Sequence, residues 1–293
     1  WIKNRSDSRK HNLYDSVRGA TKRLVSNDNV AEDTAGNGLT SFDSDGFTSG
    51  SEQDTNHNGN NFVAWNWLAG GSASSNSDGS ITSSVSASTT AGFSIVSYTG
   101  NATAGATVGH GLGSVPKMII QKNRSVVENW ATYHASLGNA NNVLLNGTNA
   151  SVSTSDYNST SPTSSVFSLG SGSGTNGNGN NMIAYCLAEK TGYSKFGSYT
   201  GNGNADGTFV YTGFKPKFLL VKRTNIADWW GMFDNKREGY NQTNDPLFAQ
   251  GSDVEGGPLN MDLLSNGFKW YTSNNGVNGR SGSFIYMAIG QSL

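Results

Sequence analysis

Cysteine is nearly absent. Cys186 stands alone, which excludes a disulfide framework within the chain and any cysteine cluster for zinc or iron–sulfur. Charge is scarce as well, with Asp, Glu, Lys and Arg making up 14% of 293 residues, 20 basic against 21 acidic, for a net charge of −1. Without a basic field to collect phosphates, nucleic acid is not an expected partner. No apolar run approaches the roughly 20 residues that a helical membrane span requires, and residues 1–20 hold no apolar signal-peptide core. Membrane insertion is therefore not expected. Lys, Glu, Leu and Ala are too few to supply the propensity and polar faces of many amphipathic helices.

What is abundant points to strands. Thirty-eight glycines, with many Ser, Thr and Asn, separate short runs rich in Val, Ile, Phe, Tyr and Trp. Runs of 4–8 such residues bounded by turn formers are the signature of β-strands, and they bury enough apolar area to offset chain entropy. The expected fold class is all-β.

Three segments repeat one pattern: WIKNRSDSRKHNLYDS from Trp1, IIQKNRSVVENWATYHAS from Ile119 and LLVKRTNIADWWGMFDNK from Leu219. Each has a lysine (Lys3, Lys122, Lys222), and eleven positions on an aromatic residue (Tyr14, Tyr133, Phe233) followed by Asp15, His134 or Asp234. Each closes alike, in FVAWNW from Phe62, MIAYCL from Met182 and FIYMAI from Phe284. Copies two and three also share an earlier half, in which Tyr98-Thr99-Gly100-Asn101 matches Tyr199-Thr200-Gly201-Asn202 and Pro116-Lys117 matches Pro216-Lys217. The unit is thus about 100 residues long, a length typical of tandem domains and longer than solenoid repeats. Residues 1–71 read as a partial unit without its first half, so the chain is expected to begin inside a repeat. Residues 93–192 and 193–293 read as complete units. Residues 72–92, rich in Ser, Gly and Thr, are either a flexible linker or an extended arm that pairs with a sheet edge. Short strands at this density imply antiparallel β-sandwiches of jelly-roll or lectin-like type, with the continuously apolar closing runs as central strands.

The stretch DTNHNGNN places Asp54, Asn56 and Asn58 at positions 1, 3 and 5 of a calcium loop, with Gly59 at position 6. Position 12, where a bidentate Glu belongs, is Trp65. Asp54 falls opposite Gly174 and Gly276 in the other copies, whereas Asn56 falls opposite Asn176 and Asn278. The shared element is therefore an Asn-Gly turn, with Asp54, Asn56 and Asn58 left as a weak cation candidate and no cofactor expected.

No catalytic set stands out. His11, His57, His110 and His134 do not recur together, and Cys186 lies inside a closing apolar run, as a buried small residue would. The recurring lysine and Asp15/Asp234 suggest a structural ion pair or hydrogen bond within each copy, with His134 as a neutral substitute. Aromatics outside the repeated pattern, namely Trp229, Tyr240, Trp270 and Tyr271 of copy three, either pack internally or offer a sugar-stacking surface.

The runs WIKNRS…LYDSVRGATKRL, GSASSNSDGSITSSVSASTTAGFSIVSYTGN, MIAYCLAEKTGYSKFGSYTGNG, DGTFVYTGFKPKFLLVKRT and LLSNGFKWYTSN…FIYMAIGQ together resemble the repeat domains of virion appendage proteins of marine tailed bacteriophages. The resemblance implies a non-enzymatic, tail-fibre-like structural protein displayed on the virion surface. It also implies lectin-like β-sandwich domains, contacts with other virion proteins and with host glycan, and assembly as a homo-oligomer, a trimer as in fibres generally. A capsid decoration protein and a polysaccharide depolymerase are the alternative expectations.

Overall fold

The computed structural model describes residues 1–238, 241–243, 245–257 and 259–290. Nearly all regular structure is antiparallel β, with three single-turn helices. Copy one contains β1 (Ile2–Asn4), β2 (Asn12–Asp15), β3 (Gly19–Val25), β4 (Asp33–Thr34), β5 (Leu39–Phe42), β6 (Phe47–Ser49), α1 (Gln53–Asn56) and β7 (Phe62–Ala64). The Ser-rich segment that follows forms β8 (Ser74–Asn76) and β9 (Ser83–Ser88). Copy two contains β10 (Phe93–Thr99), β11 (Thr107–Gly109), β12 (Pro116–Asn123), β13 (Ala131–His134), β14 (Asn141–Leu144), β15 (Val152–Ser153), β16 (Val166–Ser168), α2 (Ser173–Asn176) and β17 (Asn181–Ala188). Copy three contains β18 (Ser194–Thr200), β19 (Phe209–Tyr211), β20 (Phe218–Arg223), β21 (Trp230–Asp234), β22 (Leu247–Phe248), β23 (Met261–Leu264), β24 (Gly267–Trp270), α3 (Asn275–Asn278) and β25 (Ser283–Ile289).

Each copy has one larger sheet. Their strand orders are β4-β3-β2-β1-β7, β15-β14-β13-β12-β17-β10-β9-β8 and β18-β25-β20-β21-β22. Smaller sheets, β5-β6, β11-β16 and β19-β24-β23, complete the copies in turn. Residues 72–92 are ordered into copy two, because β9 pairs with β10 along its length, from Phe93↔Ser88 to Tyr98↔Ser83.

The apolar closing runs show why the three copies form one body. Side chains of a strand alternate between its two faces, and both faces of β17 and β25 are covered. Ile183, Tyr185 and Leu187, with Ile285, Met287 and Ile289, enter one central core that also receives Trp1, Leu13, Leu24 and Trp65 of copy one. Met182, Ala184 and Cys186 turn outward into copy two's own core, and Phe284, Tyr286 and Ala288 into that of copy three. Tandem units of this length ordinarily fold as separate domains, but here all three copies bury one face against the others.

Equivalent hydrogen bonds close the copies into a ring. The backbone N–H of Glu32 donates to the Arg124 carbonyl at 2.9 Å, that of Ser151 to Thr224 at 2.8 Å, and that of Glu255 to Arg5 at 3.2 Å. These bonds run from copy one to two, two to three, and three to one. Trp130 and Trp230, both fully buried, reinforce two of the seams by donating their indole N–H to Val25 and Leu144 of the preceding copy, each at 2.9 Å. A fully buried aromatic of this kind stabilises by about 1.5–3 kcal/mol.

The recurring polar residues serve the seams. Lys3, Lys122 and Lys222 are each 0% exposed and do not pair with Asp15, His134 or Asp234 as expected. Their ammonium groups donate to backbone carbonyls instead: Lys122 to Asn123 at 2.8 Å and Asn29 at 3.2 Å, Lys222 to Asp228 at 2.6 Å and Thr148 at 3.1 Å. Asn29 and Thr148 belong to the preceding copy. Burial lowers the pKa of all three lysines to about 8. The acidic residues pair with arginines three positions on, Asp15 with Arg18 and Asp234 with Arg237. Those arginines reach Glu32 and Glu255, which also bind Arg124 and Arg5 across the seams.

The seam between copies two and three replaces this whole set. His134, Leu137, Ser151 and Thr224 stand where the others have Asp, Arg, Glu and Arg. An isolated charge buried there would lack its counter-ion, so all four charges are exchanged together. His134 keeps the local geometry: its Nδ1 accepts the Ser136 N–H at 3.2 Å, as Asp15 and Asp234 accept from Val17 and Lys236.

Candidate binding sites

Copy three carries an aromatic pocket of about 310 Å³ lined by Trp229, Pro246, Phe248, Gly256, Gly257, Leu259 and Asn274. Trp229 is half-buried, edge-on to Phe248 with ring centroids 5.1 Å apart. Asp228 fixes its backbone, accepting the Trp229 N–H at 3.0 Å. The indole lies on Gly276, where a Cβ would come within 2.2 Å of the ring, so this close approach requires glycine. An apolar floor with an Asn amide at its rim suits a pyranose ring, whose C–H face packs on aromatics while its hydroxyls seek polar partners.

Of the three aromatics singled out from the sequence that lie among the described residues, Trp229 lines this pocket. Trp270 is corrected: it is 0% exposed, packed on Phe233 and Phe268, with its N–H donated to Tyr199 Oη at 3.0 Å, and has no face left for a ligand. Tyr271 is half-buried under Lys269, whose Nζ lies 5.5 Å from the ring centroid, and is not among the residues lining the pocket. Tyr240 lies outside the described residues. Sequence reasoning missed Phe248. It is copy three's counterpart of Val25 and Leu144, but four extra residues between Arg237 and Phe248 displace it in a direct comparison.

A second cleft, of about 720 Å³, opens at copy one, where Trp65, Trp67, Leu68 and Ala69 face Tyr14, Phe42 and the Asp43–Gly46 turn. Leu68 is 82% exposed there.

The DTNHNGNN stretch forms α1 and the turn after it. The Asp54 carboxylate faces Arg9 at 3.7 Å and Arg23 at 3.9 Å. Asn56 donates its amide to the Gly50 carbonyl at 2.7 Å, and Asn58 is exposed. Asn176 and Asn278 make the same bond six residues back, to Gly170 at 2.7 Å and Thr272 at 2.8 Å, so the recurring Asn locks a turn. Among the described residues no group of three or more His, Cys, Asp or Glu is placed to hold a metal ion, and no helix is long and apolar enough to cross a membrane.

Groups with catalytic potential are held in structural contacts. Burial alone would raise the Asp234 carboxyl pKa, but Arg237 outweighs it and holds the group below the usual carboxylate range. Cys186 is buried, and burial pushes its thiol pKa up. Burial also lowers the His134 pKa to about 4, against an opposing contribution from the Tyr286 carbonyl.

The fold and its clefts define an all-β protein of three like copies closed around a shared core. Residues 1–292 match a family described as a domain of unknown function, DUF7483, and the chain belongs to that family. No curated protein and no solved structure matches it.

Proposed function

We propose that the chain is a non-catalytic structural module of a bacteriophage appendage, displayed at the virion surface, with a glycan-contact pocket at Trp229. Each copy is read as a lectin-like β-sandwich of about 100 residues. The observation that carries the proposal is the closure of three copies around one core by equivalent seams, which leaves a rigid body with an aromatic pocket at its surface. Rigidity of this kind suits a particle component that transmits position and force. The chain itself supplies a threefold arrangement of the sort fibres usually build from three chains. Further copies of the chain and other virion proteins are its proposed partners, and host glycan its proposed ligand. A display of many such bodies on one particle turns modest single-site affinity into firm attachment.

Immunogold imaging of intact particles with an antibody against residues 193–293 tests the placement. Label on distal tail projections is the expected result, and label spread over the head overturns it in favour of capsid decoration. Glycan-array binding by the purified protein tests the pocket. Binding that Trp229→Ala abolishes is expected, and equal binding by the variant removes Trp229 from the proposal. Shortening of host polysaccharide on incubation with the protein would instead establish the depolymerase.

A further inference from the structure

Two residues of the Trp229 pocket have no like counterpart in the other copies. Trp229 directly precedes the buried Trp230, and the corresponding Lys10 and Asn129 precede His11 and Trp130. Both of those residues are polar and paired, Lys10 with Asp28 at 3.0 Å and Asn129 Oδ1 with the side-chain amide of Asn146 at 2.9 Å. Asn274 stands where copies one and two have Glu52 and Gly172, neither of which caps its turn with a side chain. The fold therefore closes twice without an aromatic at the first position or an amide at the second. Their presence in copy three serves something besides closure of the unit.

The lining is mostly apolar. Trp229, Pro246, Phe248 and Leu259 supply four apolar side chains, and among the described residues no charged side chain lines the pocket. Part of the wall is bare backbone: Gly256 and Gly257 have φ +155° and +104°, and a Cβ on either would meet nothing within 4 Å. Backbone conformation, not crowding, keeps side chains out of that space, which stays open.

Asn274 is the polar side chain of the lining, and it is committed in one direction. Its Oδ1 accepts the Gly276 N–H at 2.8 Å, which fixes the amide plane and identifies the oxygen. Among the described residues its Nδ2 has no acceptor, and Asn274 is exposed. The side chains thus present a free donor beside apolar surfaces and no free carboxylate or amide oxygen.

That combination selects among sugars. A plain hexopyranose carries hydroxyl donors all round, and any that enters an apolar pocket without an acceptor is left unpaired. An acetamido substituent fits better: its methyl packs on apolar side chains, its carbonyl oxygen accepts from an amide N–H, and it brings no charge. At about 310 Å³ the pocket is at the small end of ligand sites and suits one sugar residue.

We infer that the Trp229 pocket is selective for N-acetylated hexosamine residues, with the acetamido methyl among the apolar side chains and its carbonyl oxygen held by Asn274 Nδ2. The inference rests on the glycan reading of this pocket and narrows it to one class of sugar.

The probes are the methyl glycosides of N-acetylglucosamine, N-acetylgalactosamine, glucosamine, glucose, galactose and fucose, each titrated into the intact protein and followed by calorimetry and saturation-transfer NMR. One-to-one binding of the N-acetylated pair is expected, at least about tenfold tighter than that of the others, with the acetyl methyl most strongly saturated. Asn274→Asp keeps an oxygen to cap Gly276, so melting should be unchanged, but it exchanges the donor for an acceptor. Binding of the N-acetylated pair should weaken at least about tenfold in that variant. Trp229→Ala should abolish it.

Binding that depends on Trp229 but shows no preference for the acetamido group overturns the inference and leaves the glycan reading standing. Binding of no sugar removes both. Fucoside binding as tight as that of the N-acetylated pair overturns the inference in favour of deoxy sugars, since its methyl has no carbonyl beside it. A preference that survives Trp229→Ala, or that Asn274→Asp leaves unchanged, also overturns it by placing the acetamido group elsewhere.

Discussion

Trp65 of copy one donates its indole N–H to Asp234 of copy three at 3.1 Å, joining residues 169 positions apart. Tyr185 of copy two does the same for Asp15 of copy one, with its hydroxyl 2.7 Å from the carboxylate. The third member of this set is Met287, which has no hydrogen to donate. His134 faces it as a donor, directing Nε2 to the Tyr286 carbonyl at 3.1 Å. The exchange of Asp for His therefore follows from the loss of a donor on the facing strand. Trp65→Phe removes one ring-closing bond to a buried charge, and a loss of about 1.5–3 kcal/mol is expected from urea unfolding.

His134→Asp should be destabilising by about 1–3 kcal/mol, because a carboxylate would then face a carbonyl oxygen with no donor between them. His134→Asn, which combines an acceptor oxygen with an amide donor, should stay close to wild type. Adding Met287→Tyr to His134→Asp restores the donor, and a favourable coupling of roughly 1–2 kcal/mol is expected in the double-mutant cycle. Additive effects would show that the two positions do not communicate.

The acid dependence of stability follows from the same residue. His134 is neutral in the fold with its pKa lowered to about 4, while in the unfolded chain it takes up a proton near 6.5. The unfolded state thus binds more protons between those values, so stability should be undiminished above pH 6.5 and fall as pH drops toward 4. His11, buried and also held well below 6.5, contributes in the same direction. Thermal melting of His134→Asn across this range should show a smaller fall than wild type, and an equal fall would exclude His134 as a source.

Glu32 binds Arg18 at 3.0 Å and Arg124 at 2.8 Å, both from partly or wholly buried positions. Glu32→Gln leaves two cations without their shared counter-ion, and a loss of about 3–5 kcal/mol is expected. Ser151→Ala, at the equivalent place in the uncharged seam, should cost under about 0.5 kcal/mol. Comparing their denaturation midpoints separates a charge effect from a merely positional one.

Lys122→Met and Lys222→Met strip donors from carbonyls in two copies at once, and each should lose about 1–3 kcal/mol. Lys3→Met should lose less, since its contacts at 2.6 and 3.5 Å lie within copy one. Because burial lowers these lysines from 10.5 to about 8, the unfolded chain holds more protons between those values. Their contribution to stability should rise from pH 8 toward 10 in wild type and rise less in each variant, as read by chemical denaturation.

Trp270→Ala removes a side chain from the centre of the copy-three core, and a loss of about 3–5 kcal/mol is expected. Trp229→Ala, at a half-buried position on the pocket wall, should cost distinctly less. Melting temperatures should therefore order wild type, Trp229→Ala and Trp270→Ala from high to low. The reverse order would place the exposed and buried faces of copy three wrongly.

The aligned copies disclosed the β class, the repeat length, the locking Asn and the buried aromatics Tyr14, Tyr133 and Phe233, because each depends on local pattern and turn chemistry. The Trp229 pocket was half legible. Trp229 departs from the repeated pattern and attracts notice, but so does Trp270, and no local signal says which of the two tryptophans faces inward. That choice depends on which side chains β24 meets in its neighbours.

By itself the sequence determined the units and their chemistry: strands set by alternation, turns set by Asn and Gly, and a lysine and an acid at fixed spacing in copy after copy. Only the tertiary structure decided what those residues bind. The lysine turns from the expected acid to backbone carbonyls, which at Lys122 and Lys222 include one of the preceding copy, and Asp, Arg, Glu and Arg are exchanged as a set for His, Leu, Ser and Thr. The reason is physical. A buried polar group must be satisfied by whatever packs against it, and at each seam that partner lies in another copy, far away along the chain.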